Sequence, residues 1–304
     1  MTRDAPGRLR PIVIVLVVLL SLGWGFGWPM MKIALSEFPI WTFRSISCLG
    51  AGLCVLGFSR LAGGSLMPVG SEWPRLMLAA LFNVTAWHLL IGYGVTLVPA
   101  GHAAVLAYTM PLWVVVLGSA FFRQPLELTS IAGLVLGLAG IVTLVLPDLG
   151  TLSEAPLGAT LILLGALAWA VGTLVQKHFD TRLSTLALTG WQLVLGSIPI
   201  LLLTPIVEGV HFPDVSARAW ASGIYLTVVA LVLCYFLWFK IISLLPAGRA
   251  SISTLMVPAL GVVSGTLFLG EPFGLREVLA LSFIAAALFL VLMPPLRGAE
   301  QTAG

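Results

Sequence analysis

The sequence predicts an all-α integral membrane protein: ten transmembrane helices arranged as two inverted five-helix repeats around a central cavity. Three observations predict it. The 304 residues are 59% hydrophobic and 9% charged, with a mean hydropathy of +1.09. The apolar residues run in unbroken stretches of roughly 20, the length that spans a bilayer as a helix. The second half of the chain repeats the first.

Soluble domains carry about 25% charged residues, so a chain this apolar cannot solvate a globular surface. In lipid, helices and closed barrels alone satisfy the backbone. Long continuous apolar runs read as helices rather than as alternating barrel strands. Spans are expected at 12–34, 39–59, 74–96, 99–121, 127–147, 157–178, 184–206, 219–243, 247–269 and 275–294. The first run resembles a signal peptide. It continues through Trp24 and Trp28 to about Met31 without a small-residue cleavage site, so it reads as the first span. Cys48, Cys54 and Cys234 lie inside apolar runs without metal-ligand spacing and read as small buried hydrophobes.

Ten spans put both termini on one side. If that side is cytoplasmic, the inner loops hold Arg3, Arg8, Arg10, Arg60, Arg75, Arg123, Lys177, Arg182, Lys240, Arg249 and Arg297. The outer loops hold Lys32, Arg218 and Arg276. Eleven cations against three is a strong positive-inside bias, so both termini are expected in the cytoplasm. The net charge of +3 gives no sign of nucleic-acid binding, because the basic residues sit between apolar spans.

The repeat is explicit. "VPAGHAAVLAYTMP", from Val98 to Pro111, returns as "LPAGRASISTLMVP", from Leu245 to Pro258, 147 residues later. Val115, Val116, Gly118, Phe121 and Pro125 return as Val262, Val263, Gly265, Phe268 and Pro272. Trp24, Gly27 and Lys32 match Trp169, Gly172 and Lys177 at a spacing of 145. The expected units are residues 1–150 and 151–304. Five spans per unit is odd, so the second copy starts on the opposite side of the membrane, an arrangement that transporters use. Pro111 and Pro258 fall near the middle of the fourth and ninth spans. Proline breaks or kinks a helix there, and paired interruptions point to a central site with bending helices.

Polar and aromatic residues deep in the spans are the candidates to line that site. His88 lies near mid-span, and 147 residues later stands Tyr235. Trp24 and Trp169 form a second equivalent pair. Tyr108 lies three residues before Pro111. Trp24, His88, Tyr108, Trp169 and Tyr235 are therefore the expected substrate-binding residues. Trp28, Trp113 and Trp238 are weaker candidates. Such a lining suits flat, apolar or cationic ligands. Arg44, Gln176, Gln192 and Lys240 also lie deep. Arg44 reads as structural, paired with a carbonyl or snorkelling outward near Pro39.

All twelve Asp and Glu residues fall in loops or near span ends. Ion-coupled carriers commonly place a carboxylate within the membrane, so movement down a gradient is expected, with His88 as the proton carrier if protons couple. Gly92 to Gly94 spell a lone "GYG" without filter context, and Gly23/Gly27 and Gly133/Gly137 read as close-packing pairs. No catalytic motif appears, so no enzyme activity, metal or cofactor is expected.

The two repeats, "FPIWTFR" ending in Arg44, the "PAG" openings, the mid-span prolines and "GEP" at Gly270 to Pro272 resemble the EamA family of the drug/metabolite transporter superfamily. The resemblance covers essentially the whole chain. It implies a basket of ten helices, residence in the bacterial inner membrane, and export of amino acids, other metabolites or toxic compounds. It places the same five residues at the cavity. The first copy has Arg123-Gln124-Pro125 where the second has Gly270-Glu271-Pro272, so the acidic motif is missing from the first half. The aromatic lining is similar to the YddG-type exporters of aromatic amino acids. The expected partners are a small-molecule substrate and the lipid bilayer, with a monomer as one admissible state. The alternatives are the same carrier with another metabolite specificity, or a membrane scaffold without transport.

Overall fold

The computed structural model describes residues 11–97, 106–124, 127–145, 156–209, 214–269 and 273–292. Among them the chain is all helical, with no strand. Seven helical runs are long and apolar enough to cross a membrane: Pro11–Leu35, Ile40–Leu61, Gly70–Gly94, Pro156–Lys177, Thr185–Val207, Ala217–Leu244 and Ala247–Phe268. Large apolar side chains cover the outside, Leu61 at 84% exposure and Ile206 at 79% among them. A surface of that kind needs lipid as its solvent, and the protein is a multi-pass membrane protein.

The first run is not continuous. α1 (Pro11–Gly25) gives way at Phe26 to α2 (Gly27–Leu35). α3 (Ile40–Leu61) starts after Pro39, which sits in extended backbone outside the helix. The third run contains α4 (Trp73–Ala80), a π-helical segment (Leu81–Ala86) and α5 (Trp87–Leu97). α6 (Met110–Phe122) ends at Arg123, the one non-glycine residue with positive φ among those described. α7 (Leu128–Val145) follows.

The second half repeats this plan. α8 (Pro156–Lys177) is unbroken, and α9 (Thr185–Val207) is capped by the Ser184 hydroxyl, which accepts from the Ala187 N–H. α10 (Ala217–Tyr225), a second π segment (Leu226–Leu233) and α11 (Cys234–Leu244) make the Ala217–Leu244 run. The two π segments begin at Leu81 and Leu226, 145 residues apart, the spacing of the tryptophan repeat. α12 (Ala247–Ser253), α13 (Met256–Leu269) and α14 (Leu275–Leu292) complete the described chain.

The helices part just before each mid-span proline. Tyr108 and Thr109 form a turn ahead of Pro111, and Thr254 and Leu255 form one ahead of Pro258. A proline ring clashes with the carbonyl four residues earlier, so the break falls upstream of the ring. A threonine hydroxyl takes up a carbonyl at each break. Thr109 Oγ1 donates to Leu106 O and Thr254 Oγ1 to Ser251 O, both at 2.7 Å. The "PAG" of the first copy, Pro125 and Gly270 to Pro272 lie outside the described residues.

Equivalent helices pack on each other. On Gly52 of α3 a Cβ would stand 2.8 Å from Val194 N, and on Gly190 of α9 one would stand 3.0 Å from Leu56 N. Only glycine permits that backbone approach. Residues later in α3 meet residues earlier in α9, so the two helices run antiparallel. α7 and α14 do the same: a Cβ on Gly140 would stand 2.8 Å from Ala280 O, and one on Gly137 3.7 Å from Ala287 Cβ. Cys48 and Cys234 are buried as expected, but Cys54 is exposed. The stretch from Cys48 to Phe58 is apolar throughout, and packing alone decides that Cys54 faces outward.

Candidate functional site

A cavity of about 110 Å³ lies where α2, α3, α5, α8 and the second π segment converge. All five expected residues line it: Trp24, His88, Tyr108, Trp169 and Tyr235. Trp28, Trp87 and Arg44 line it as well.

Trp169 is the hub of the aromatic wall. Its ring meets Trp24 at 5.8 Å and 73°, and Tyr235 at 5.6 Å and 87°. Trp87 lies 4.9 Å away. Edge-to-face contacts satisfy the ring quadrupoles and fix the walls nearly at right angles. On the side away from Met31 and Arg44, fully buried Leu20, Trp238 and Phe239 fill the bundle. Trp238 packs on Trp24 and Trp169, and Phe239 on Tyr235, so Trp238 is floor rather than lining. Trp113 is not among the lining residues.

The π segments explain part of the polar geometry. Widening the helical turn leaves carbonyls free to accept from side chains. Trp24 Nε1 donates to Ala230 O in the second segment at 3.0 Å. The Tyr235 hydroxyl lies 3.4 Å from Asn83 O in the first segment and 3.2 Å from His88 Nε2. One hydroxyl proton serves one acceptor, so Tyr235 either donates to His88, or donates to Asn83 O while accepting from His88. His88 and Tyr235 are themselves the equivalent pair 147 residues apart. Residues that touch their own equivalents mark a point common to both halves.

Gln176 and Gln192 do not line the cavity. Gln192 donates to Gln176 Oε1 and accepts from Asn83 Nδ2 at 3.0 Å, a buried amide chain joining α8, α9 and the first π segment. Lys240 is also absent from the lining. Arg44 does not snorkel, and among the described residues it pairs with no carbonyl. It is 7% exposed, and its Nη2 meets the Met31 sulfur at 3.0 Å. Trp87 carries no repeat signal of its own, since Cys234 stands 147 residues later, and sequence reasoning passed over it.

Described acidic residues tie helix ends together. Glu208 accepts from Trp41 N at 2.8 Å and Thr42 N at 2.9 Å, at the start of α3, where the helix dipole favours an anion. Glu37 accepts from Ser216 N and Oγ at 2.6 and 2.7 Å. These bonds hold its carboxyl below the usual carboxylate range. At the far end Arg249 Nε donates to Glu127 Oε2 at 2.9 Å, and Lys177 Nζ donates to Ile242 O at 2.7 Å. Among the described residues no carboxylate lines the cavity. The site therefore has tools for binding, namely aromatic faces, hydroxyl, imidazole and guanidinium donors.

Helices of membrane length around an internal aromatic cavity define the class of helical membrane carriers. The chain belongs to the EamA-like transporter family, whose pattern matches residues 11–146 and again 156–293. It is 26% identical over 282 residues to the uncharacterized transporter YvbV of Bacillus subtilis (strain 168), covering 91% of this chain and 90% of that one. It is 25% identical to a probable amino-acid metabolite efflux pump of Escherichia coli (strain K12), covering 91% of each. It is 28% identical to protein PecM of Dickeya dadantii (strain 3937), covering 77% of this chain and 78% of that one. One solved crystal structure superposes with a TM-score of 0.80 at 16% identity, over 93% of this chain and 96% of the other, a likeness of fold alone.

Proposed function

We propose that this transporter exports aromatic amino acids and related amphipathic solutes across the bacterial inner membrane by alternating access. Trp24, His88, Tyr108, Trp169 and Tyr235 hold the solute, and the two halves, residues 1–150 and 151–304, rock about the cavity. The observation that carries the reading is the meeting of equivalent residues there, Trp24 with Trp169 and His88 with Tyr235. The antiparallel contacts of α3 with α9 and of α7 with α14 support ten spans in two inverted copies. The relatives named as amino-acid metabolite efflux pumps support the solute class.

With both termini in the cytoplasm, Met31, Arg44, Ile91 and Leu226 lie in the outer half of the bundle, and Leu20, Trp238 and Phe239 in the inner half. Placement of the described carboxylates at helix ends supports movement without an ion-coupling carboxylate.

Flux of labelled phenylalanine and tryptophan in liposomes tests this. Saturable movement is expected without an imposed ion gradient, with threonine and methyl viologen as comparisons. Trp169→Ala and His88→Ala are each expected to cut the rate. Full flux in both variants rejects the site, and strict dependence on a proton gradient rejects uncoupled transport.

A further inference from the structure

We infer that Arg44 is the anion-binding group of the cavity, so that the solute must carry a carboxylate, and that an amine on the solute contributes little to binding. This rests on the carrier reading above and narrows its substrate class.

Arg44 sits one turn into α3, with its side chain at the cavity and 7% exposed. Among the described residues its Nη2 meets a thioether alone, the Met31 sulfur at 3.0 Å, and thioethers are weak acceptors. Its Nε is buried without a partner among the described residues. The described ion pairs belong to Arg249 and Arg276, far along the chain from α3. A buried guanidinium normally carries a carboxylate or several carbonyls. Here its fork is left to whatever enters the cavity, and the fork matches a carboxylate with two parallel bonds.

The rest of the lining agrees. Beside Arg44 stand aromatic faces and His88, and no described carboxylate is there to receive an ammonium. An amine would meet ring faces but also the repulsion of Arg44. A solute with an acidic group suits this arrangement better than a dication, contrary to the cationic ligands that the aromatic lining alone suggests. The position 145 residues after Arg44 is Thr189, whose hydroxyl donates to Thr185 O at 2.7 Å. The second half thus adds no second cation, which favours a single carboxylate over a doubly charged phosphate ester.

Three probes with the same ring separate the charges: phenylacetate, phenylalanine and phenethylamine. Their binding to the purified full-length protein is read by quenching of the cavity tryptophans. Phenylacetate and phenylalanine are expected to bind, with phenethylamine at least about 10-fold weaker. Arg44→Met keeps the length of the side chain and removes the charge. It should weaken phenylacetate by roughly 10- to 100-fold, the worth of a charge-assisted hydrogen bond. Its melting temperature should not fall, because an unpaired buried charge has gone. If phenethylamine matches phenylacetate on the wild-type protein, the carboxylate assignment is overturned and the aromatic carrier stands. If Arg44→Met keeps full phenylacetate affinity, the assignment is likewise overturned. If no probe binds, both fall. The wild-type series decides the question even if Arg44→Met does not fold.

Discussion

Trp24 and Trp169 are equivalent residues of the two halves and touch each other, yet their surroundings differ. The first helical run parts at Phe26, two residues after Trp24, and the Trp24 indole donates to Ala230 O. α8 runs through Trp169 without a break, and the buried Trp169 Nε1 has no acceptor among the described residues. The local sequences are Gly25-Phe26-Gly27 and Ala170-Val171-Gly172, and the extra glycine makes the first helix easier to interrupt. Similar segments thus hold two conformations within one molecule. An inverted-repeat carrier uses that property, because exchanging the two conformations between halves exchanges the side of access.

The largest effect that bears on this comparison concerns the contact shared by both halves. Gly190 has Leu56 backbone and side chain against the place a Cβ would occupy, whereas Gly57 has nothing within 4 Å. Gly190→Val is expected to cost about 3 kcal/mol, the upper end for overpacking, while Gly57→Ala should gain up to about 1 kcal/mol in helix propensity. Equal thermal shifts for the two would break the close pairing of α3 with α9.

The tryptophans come next. Trp24→Phe strips Ala230 O of its donor and should cost about 1–3 kcal/mol. Both changes remove indole packing, but Trp169→Phe removes an N–H that makes no described bond, so it should cost less than Trp24→Phe by about 1 kcal/mol. Denaturant unfolding of the two variants side by side measures the difference, and equality would erase the asymmetry.

The two ends of the bundle offer smaller effects. Glu127→Gln weakens the pair with Arg249, whose side chains are 21% and 38% exposed for Arg249 and Glu127. Loss of at most about 1 kcal/mol is expected, shrinking in high salt. At the opposite end Glu37 has a lowered pKa because Ser216 bonds its charged form. Its support is fully present above the ordinary glutamate value of about 4.3 and fades as pH falls through the folded value. Glu37→Gln should flatten the acid limb of the melting curve, and an unchanged limb would assign that sensitivity to another group.

Composition and the repeat made the helical membrane fold legible. The repeat also pointed to His88 with Tyr235 and Trp24 with Trp169, because equivalence puts both members at one depth. Facing was not legible. A stretch apolar all round carries no stripe to say which side meets lipid, so Cys54 was misjudged, and the contact of Arg44 with Met31 was not legible either. Trp87 was hidden for the same reason, and so was Asn83, whose amide partners come from other helices. The π segments leave no mark in hydropathy, since they shift hydrogen bonds without changing residue type.

The α3–α9 contact has a mechanical consequence. If the halves trade conformations as proposed, two-fold exchange maps this contact onto itself, so it is the same before and after. It would then work like the knife-edge of a balance, bearing the load of that motion while favouring neither pan. Its glycines fix how closely the beam rests, and the preference between the two sides must be written elsewhere, in the residues that the halves do not share.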